Sequence, residues 1–260
     1  MIEKRQQQIL ETLSRQKTAT VGELSNQLGV SAVTIRTDLN QLAKQGRVVR
    51  THGGAHLAGE RLRQENSYAT RQQLFAEQKR QIGQLAASLI KPNESILLDA
   101  STTAVAVGHA LKEMRETYNV TAVTTGIWTA LELLGAPHIN VVLCGGHVRD
   151  TTGSITGAIT NEILARFHFS KAFLGAWGIT IAKGLTDSPL MEVELKKLIV
   201  QNSQEIIAVV DSNKFGRIGL ASFATTAQIT RIITTQEAPA KNIKAFREAG
   251  IQVLTAQENA

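Results

Sequence analysis

The 260-residue chain has a single cysteine, Cys144. A lone thiol excludes an internal disulfide and any paired-cysteine metal or redox site, which points to a reducing compartment, the cytoplasm. Proline is scarce, at 4 residues, and glycine numbers 20 against 43% hydrophobic content, so the chain is globular rather than disordered or fibrous. No apolar run approaches the ~18 residues that a membrane span needs. The N-terminal MIEKRQQQIL lacks the apolar stretch of a secretory signal. The motifs G-x-x-x-x-G-K-[ST], G-x-G-x-x-G and G-x-S-x-G are all missing, so no nucleotide-binding or hydrolase signature is present and no catalytic residue is expected. The six histidines, His52, His56, His109, His138, His147 and His168, show no H-E-x-x-H spacing. No metal and no cofactor is expected. Aromatics are few as well, and none occurs before Tyr68, so an N-terminal core must be built from Ile, Leu and Val.

The length suits two domains. The formal charge of +6 is concentrated in one of them: residues 1–63 hold ten basic and five acidic side chains, while the rest of the chain is nearly balanced. Such asymmetry suits a small module that meets a polyanion, although a solvated basic face is the plain alternative.

Within that module, Ile9, Leu10 and Leu13 share a helical face, and Thr18–Thr20 interrupt the pattern. Val21, Leu24 and Leu28 mark a second helix that Gly29 can end through a positive φ. Ser31 is a good cap for a third, in which Ile35, Leu39 and Leu42 recur at helical spacing up to Gln45-Gly46. This is the helix-turn-helix layout, with the motif over about residues 20–39 and the third helix placed for the major groove of double-stranded DNA. The face opposite its apolar stripe carries Val33, Arg36, Thr37, Asn40 and Lys44, with Thr34 at its margin. Those side chains can read base edges or hold phosphate. Val48 and Val49 then predict a short strand and Gly53-Gly54 a tight turn, flanked by Arg47, Arg50 and His52 as a wing along phosphates or a minor groove. A three-helix bundle used for protein contacts is the competing reading.

The segment VGELSNQLGVSAVTIRTDLNQLAKQGRVVRTHGGA resembles the DNA-binding segment of DeoR-family bacterial repressors. Arg36, Asp38, Leu39, Arg50 and the Gly53-Gly54-Ala55 turn match the family pattern, whereas Thr37 replaces a common second arginine. The resemblance implies a winged helix-turn-helix over residues 1–57 whose DNA contacts come from Ser31, Val33, Thr34, Arg36, Thr37, Asn40, Arg47, Arg50 and His52.

Residues 58–75 have no clean period and read as a linker, with the larger domain over 76–260. From residue 95, strand-like runs (95–99, 120–124, 140–143, 171–175, 205–210, 231–234 and 251–254) alternate with helical segments. That alternation predicts an α/β, doubly wound, mostly parallel sheet covered by helices. Ligands in such sheets lie beyond the carboxyl ends of the strands. There the sequence places Asp99-Ala100-Ser101-Thr102-Thr103, Thr124-Thr125-Gly126, Cys144-Gly145-Gly146-His147, Gly175–Gly178, Gly184–Asp187 and the DSNKFG loop with Lys214. Hydroxyls and amides at helix starts bind anions, and carboxylates bind sugar hydroxyls. The set suits a small phosphorylated sugar or polyol, while ordinary caps and turns are the bland alternative.

The rest of the chain also resembles the DeoR family, whose effector domain looks like the phosphosugar-isomerase fold. The family markers appear as LDASTT, TTG, GGHVR, FLGAWGITIAKGL and DSNKFG. The resemblance implies a phosphate loop of Ser101, Thr102 and Thr103, with Asp99, Thr124, Gly145, Gly146, Arg149, Asp187, Glu192 and Lys214 as neighbours of a phosphorylated sugar or sugar-acid effector. Four positions depart from the pattern: Ser101 for glycine, Thr125 for asparagine, Ser170 for aspartate, and Trp177 with DSPLMEVE for polar groups.

The reading is a cytoplasmic, non-enzymatic repressor of a carbohydrate-utilisation operon, modulated on operator DNA by its effector. One module reads few bases, so a homodimer or tetramer on repeated half-sites is expected, with no membrane partner. The alternative is an active aldose–ketose phosphate isomerase fused to a DNA-binding module, for which Asp211, Glu192 and Lys214 would serve. A ligand-free nucleoid protein is a third reading.

Overall fold

The structure, a computed structural model, describes residues 2–16, 18–51, 53–57, 67–114, 116 and 118–256. These fall into two compact units, Met1–Ala76 and Glu77–Ala260.

In the first unit, helices α1 (Ile2–Gln16), α2 (Val21–Leu28) and α3 (Ala32–Lys44) pack on a three-stranded antiparallel sheet. Its strands are β1 (Thr18–Thr20), β2 (Val48–Arg50) and β3 (Gly54–Leu57), in the order β1-β3-β2. The short Thr18–Thr20 stretch is therefore more than an interruption: it pairs with β3, opposite Gly54–His56. Gly54 permits this approach, because a β-carbon there would lie 2.0 Å from the Ala19 carbonyl oxygen. Thr20 also starts α2 through a reciprocal cap: Glu23 N donates to Thr20 Oγ1 at 3.2 Å and Thr20 N to Glu23 Oε2 at 2.7 Å. Gly29 ends α2 in the left-handed region at φ 64°, and Ser31 Oγ accepts from Thr34 N to start α3. The core is aliphatic throughout, with Ile9, Leu13, Leu24, Ile35, Leu39 and Leu42 sealed from solvent. Within the stretch expected as a linker, Tyr68–Gln73 forms a short helix, α4.

The second unit is built on a seven-stranded parallel sheet. Its strands are β4 (Ser95–Leu98), β5 (Val120–Thr124), β6 (Ile139–Leu143), β9 (Phe169–Leu174), β12 (Ser203–Val209), β14 (Arg231–Thr235) and β15 (Gln252–Ala256), in the order β15-β14-β12-β9-β4-β5-β6. All seven expected strands are present in it. Helices α5 (Ala76–Ala87), α6 (Thr102–Glu113) and α7 (Ile127–Leu133) supply Ile82, Ala86, Val107, Leu111 and Leu133 to one face. Helices α8 (Ala158–Leu164), α9 (Leu190–Gln201) and α10 (Ala240–Glu248) supply Leu164, Val193, Ile199, Ile243 and Phe246 to the other. Burial on both faces accounts for near-continuous apolar strands such as SILL and IIAVV. Two antiparallel additions were not anticipated: the pair β7 (His147–Val148) and β8 (Ile155–Thr156), and the sheet of β10 (Gly178–Thr180), β11 (Gly184–Asp187) and β13 (Ala221–Ala224). Among the described residues, no helix is long and apolar enough to cross a membrane.

Helices α5 and α6 touch at Gly83, where a β-carbon would sit 2.4 Å from the Ala106 carbonyl oxygen. Helix propensity alone favours alanine over glycine by about 1 kcal/mol. Overpacking typically costs about 1–3 kcal/mol, so Gly83→Ala should lower the urea midpoint of the second unit. An unchanged or raised midpoint would mean that the helices part without cost.

Candidate functional site

In the first unit, α3 buries Ile35, Asp38, Leu39 and Leu42 against the core. Its period therefore turns Val33, Arg36, Thr37, Asn40 and Lys44 to solvent, with Thr34 half-buried. Asp38 accepts both from Arg5 Nε and, at 3.1 Å, from Arg5 Nη2, which ties α1 to α3. Several candidate side chains already have work within the protein. Ser31 Oγ caps the helix and lies 2.9 Å from Thr34 Oγ1. Thr37 Oγ1 donates back to the Val33 carbonyl at 3.1 Å. Arg50, expected along phosphates, donates through Nη1 to Asn40 Oδ1 at 2.6 Å and to the Arg36 carbonyl at 3.3 Å. Arg47 is exposed. His52 lies outside the described residues.

In the second unit, strand order reverses between β4 and β9, and in open parallel sheets ligands lie beyond the carboxyl ends of the strands at such a switch point. Asp99, directly after β4, is sealed. Its Oδ1 accepts from Ser101 N and its Oδ2 from Gly175 N, each at 2.9 Å. Ser101 Oγ caps α6 through Ala104 N at 3.1 Å, leaving the amides of Thr102 and Thr103 as first-turn donors that no intrahelical carbonyl serves. Gly175 must be glycine here, since a β-carbon would lie 2.5 Å from both Cβ and Oγ of Ser101.

The central group is Lys196, which the sequence reading missed. Its Nζ donates to the Gly175 carbonyl at 2.9 Å and to Asp187 Oδ2 at 2.8 Å, and lies 3.2 Å from Asp99 Oδ2. Its position was legible: along α9, residues 193, 196 and 200 share the buried stripe, so a lysine there is a buried cation. Burial opposes its charge, but Asp187, Asp99 and Glu192 outweigh that and hold the ammonium above the usual lysine range. Burial likewise pushes the Asp187 carboxyl up. Lys196, with Ser188 N–H and the more distant Lys214, outweighs it and leaves the carboxyl below its ordinary range.

Beside this network, Arg149 Nη1 donates to Glu192 Oε1 at 3.0 Å, and Ser154 Oγ donates to the same oxygen. Thr124 is sealed, its Oγ1 accepting from Gly126 N at 3.0 Å. Thus Asp99, Ser101 and Asp187 meet through Lys196 and Gly175, and Arg149 meets Glu192. Thr102 and Thr103 follow Ser101 directly, and Lys214 acts on Asp187 through its field. A β-carbon on Gly146 would lie 2.0 Å from Thr160 Oγ1, and the Gly145 carbonyl accepts from Thr160 Oγ1 at 2.9 Å. Asp211 is buried and caps a 3-10 turn through Asn213 N at 3.0 Å. Burial pushes the Cys144 thiol up to about 11, so it stays protonated.

The chain matches two family models, a DeoR-like helix-turn-helix domain over residues 5–61 and a DeoR C terminal sensor domain over residues 74–236. Among curated proteins it is 36% identical to the HTH-type transcriptional regulator GolR of Listeria innocua, covering 97% of this chain and 98% of that one. It is 33% identical to a putative aga operon transcriptional repressor of Escherichia coli O157:H7, over 98% and 94% of the two chains. Against the glycerol-3-phosphate regulon repressor of Escherichia coli K12 it is 29% identical, over 94% and 95%.

Removing the Lys196 ammonium strands the buried carboxylate of Asp99 and the half-buried one of Asp187. Lys196→Met should destabilise the second unit by about 3–5 kcal/mol, the usual cost of breaking a buried pair, and restoring neutrality with Asp187→Asn should recover part of it. The pH window follows from the two shifts. The lowered Asp187 pKa contributes stability above the unfolded value of about 4, lost as pH falls through the folded pKa. The raised Lys196 pKa contributes stability below about 10, lost as pH rises through its folded value. Urea midpoints measured between pH 3 and pH 8 should therefore fall at the acid end in the wild type, and less so in the double variant. Equal acid sensitivity in both would assign the loss to other carboxylates.

Proposed function

This chain belongs to the DeoR family of helix-turn-helix transcriptional regulators, and from that premise we propose that it represses a carbohydrate-utilisation operon. The first unit binds operator DNA through α3 and the β2–β3 wing. The second binds a small phosphorylated sugar, polyol or sugar acid in the crevice between β4 and β9. The observation that carries this reading is the convergence there of the α6 amino terminus, the Lys196 network and Lys214. The amides of Thr102 and Thr103 suit phosphate oxygens, and carboxylates such as Asp187 suit sugar hydroxyls. One relative is named for a glycerol-3-phosphate regulon, which makes a phosphorylated polyol the first class to test.

Isomerase chemistry requires a carboxylate base. Asp211 and Glu192, the carboxylates in question, are held by Asn213 N and by Arg149 with Ser154. That commitment, and the naming of the relatives as regulators and repressors, favour a sensor that binds without turnover.

The regulator acts in the cytoplasm as a homo-oligomer, because one helix-turn-helix reads too short a sequence for specificity. Effector binding shifts operator affinity through its different affinity for two states, a coupling typically of about 1–3 kcal/mol. Operator affinity should also fall with salt, with a slope of about −0.9 per phosphate contact.

Two substitutions test the division of labour. Thr102→Val and Lys214→Ala should leave operator binding within about twofold of the wild type while removing the thermal shift produced by sugar phosphates and glycerol 3-phosphate. A normal ligand response in either variant would take that residue out of the effector site. Arg36→Ala should weaken binding to the operator by about tenfold more than binding to random duplex. Equal loss on both would make Arg36 a phosphate contact.

A further inference from the structure

We infer that Arg50 governs operator reading from inside the protein: it holds the carbonyl of Asn40, so that Asn40 meets DNA as a hydrogen-bond donor. This rests on the DNA-binding reading of α3 given above. The observation is the 2.6 Å bond from Arg50 Nη1 to Asn40 Oδ1, joined by a 3.3 Å bond from the same nitrogen to the Arg36 carbonyl. A guanidinium has donors only, so the atom that faces it must be the oxygen of the amide. That fixes the orientation of the Asn40 side chain by chemistry, where oxygen and nitrogen are otherwise hard to tell apart.

Arg50 is well placed to act as such a clamp. Its backbone is paired opposite Ala55 in the wing, its Nε is enclosed, and its side chain is half-buried. A guanidinium spent on Asn40 and on a helix carbonyl is poorly disposed to follow a phosphate. The basic count of the wing therefore overstates its phosphate contacts, and Arg50 is a positioning residue.

The consequence for specificity follows from what Asn40 has left. An asparagine that reads adenine through both N6 and N7 uses its oxygen as acceptor and its nitrogen as donor. Here the oxygen is turned towards Arg50, where one of its two lone pairs accepts a short charge-assisted bond, so Nδ2 is the group turned away from the guanidinium. Its partner in the major groove is an acceptor: guanine O6 or N7, adenine N7, or thymine O4. Cytosine, which presents the N4 amino donor, is disfavoured. Position 40 thus selects against cytosine, and it does so only while Arg50 is in place.

The test uses the full chain and needs no prior operator. Wild type, Arg50→Met, Asn40→Ala and Asn40→Asp are each selected on a randomised duplex library, then titrated on the wild-type site and on scrambled duplex. The wild type should select a motif with one column from which cytosine is excluded by about tenfold. Asn40→Ala and Arg50→Met should flatten that same column and leave scrambled-duplex affinity unchanged. Asn40→Asp keeps an acceptor for Arg50 while replacing the donor with a carboxylate, which accepts from cytosine N4. It should turn the column towards cytosine at an unchanged melting temperature, and this arm decides the matter if Arg50→Met fails to fold.

Different results overturn the inference. If Arg50→Met weakens every sequence equally and reduces the salt slope by about one, Arg50 is a phosphate contact. If neither Asn40 variant alters any column, or if Arg50→Met leaves the Asn40 column intact, the clamp has no role in reading. A wild type that selects no motif would instead refute the sequence-specific DNA-binding reading on which the clamp depends.

Discussion

One ammonium group holds the carboxyl end of the parallel sheet together. Strand order reverses between β4 and β9, and the loops leaving those strands must be joined by something other than the ladder. Lys196, reaching up from α9, bonds to the Gly175 carbonyl after β9 and to Asp187 at the end of β11, and pairs with Asp99 after β4. Its head also lies 5.0 Å from the centroid of the Phe223 ring on β13. A buried charge is costly unless it is paired and hydrogen-bonded, and here the ammonium donates to two oxygens and pairs with a third, on Asp99, at 3.2 Å. Asp99 is fixed in turn from both sides by Ser101 N and Gly175 N. The amino terminus of α6 thereby takes its place relative to β9, and Ser101 fills the space that a side chain on residue 175 would claim.

The same network bears on how, in the proposed function, a nearly uncharged unit would recruit an anion. Asp99, Asp187 and Glu192 are matched by Lys196, Arg149 and Lys214, so the carboxyl end of the sheet carries little net charge of its own. In the proposed function, phosphate is therefore drawn by oriented donors, the amides and hydroxyls that open α6, with Lys214 as a near cation. The balanced charge of this unit and the basic excess of the other are two solutions to two problems. A polyanion is met by surplus charge spread over a surface. A small phosphate is met by a few dipoles held in place, which a surplus of free lysines would make less selective.

Much of this was legible in the sequence, for identifiable reasons. The seven sheet strands stand out because both faces are buried, giving short apolar runs bounded by glycine or polar turns. The α3 stripe stands out because Ser31 caps it and Ile35, Leu39 and Leu42 keep one period. What escaped depends on contacts between distant residues. Strand β1 is three residues long and exists through pairing with β3, some 36 residues away. The β10–β11–β13 sheet is made of strands too short to show alternation. At Gly146, which with Gly145 reads as an approach for a ligand, the close neighbour is Thr160 of the following helix. Lys196 did leave a trace, as a cation on a buried helical stripe, but its two carboxylate partners lie 97 and 9 residues earlier and only the fold brings them together.

Charge counting carries a related lesson for the DNA-facing unit. The ten basic side chains of residues 1–63 suggest a broad electrostatic footprint, yet a basic residue contributes to counterion release only if it reaches a phosphate. Arg5 is neutralised by the buried carboxylate of Asp38, and its role is to fasten α1 to α3. Arg50 keeps its charge but directs its guanidinium at Asn40 and the Arg36 carbonyl. Both arginines thus set the geometry of the recognition helix, one from behind and one from the wing. In the proposed function, exposed groups such as Arg36, Lys44 and Arg47 carry the contact with DNA. The salt dependence of binding should follow that smaller exposed set, while mutations of Arg5 and Arg50 act on how accurately α3 is presented. In the proposed function, net charge draws the module to DNA, and the inferred pairing of Arg50 with Asn40 decides what it reads there.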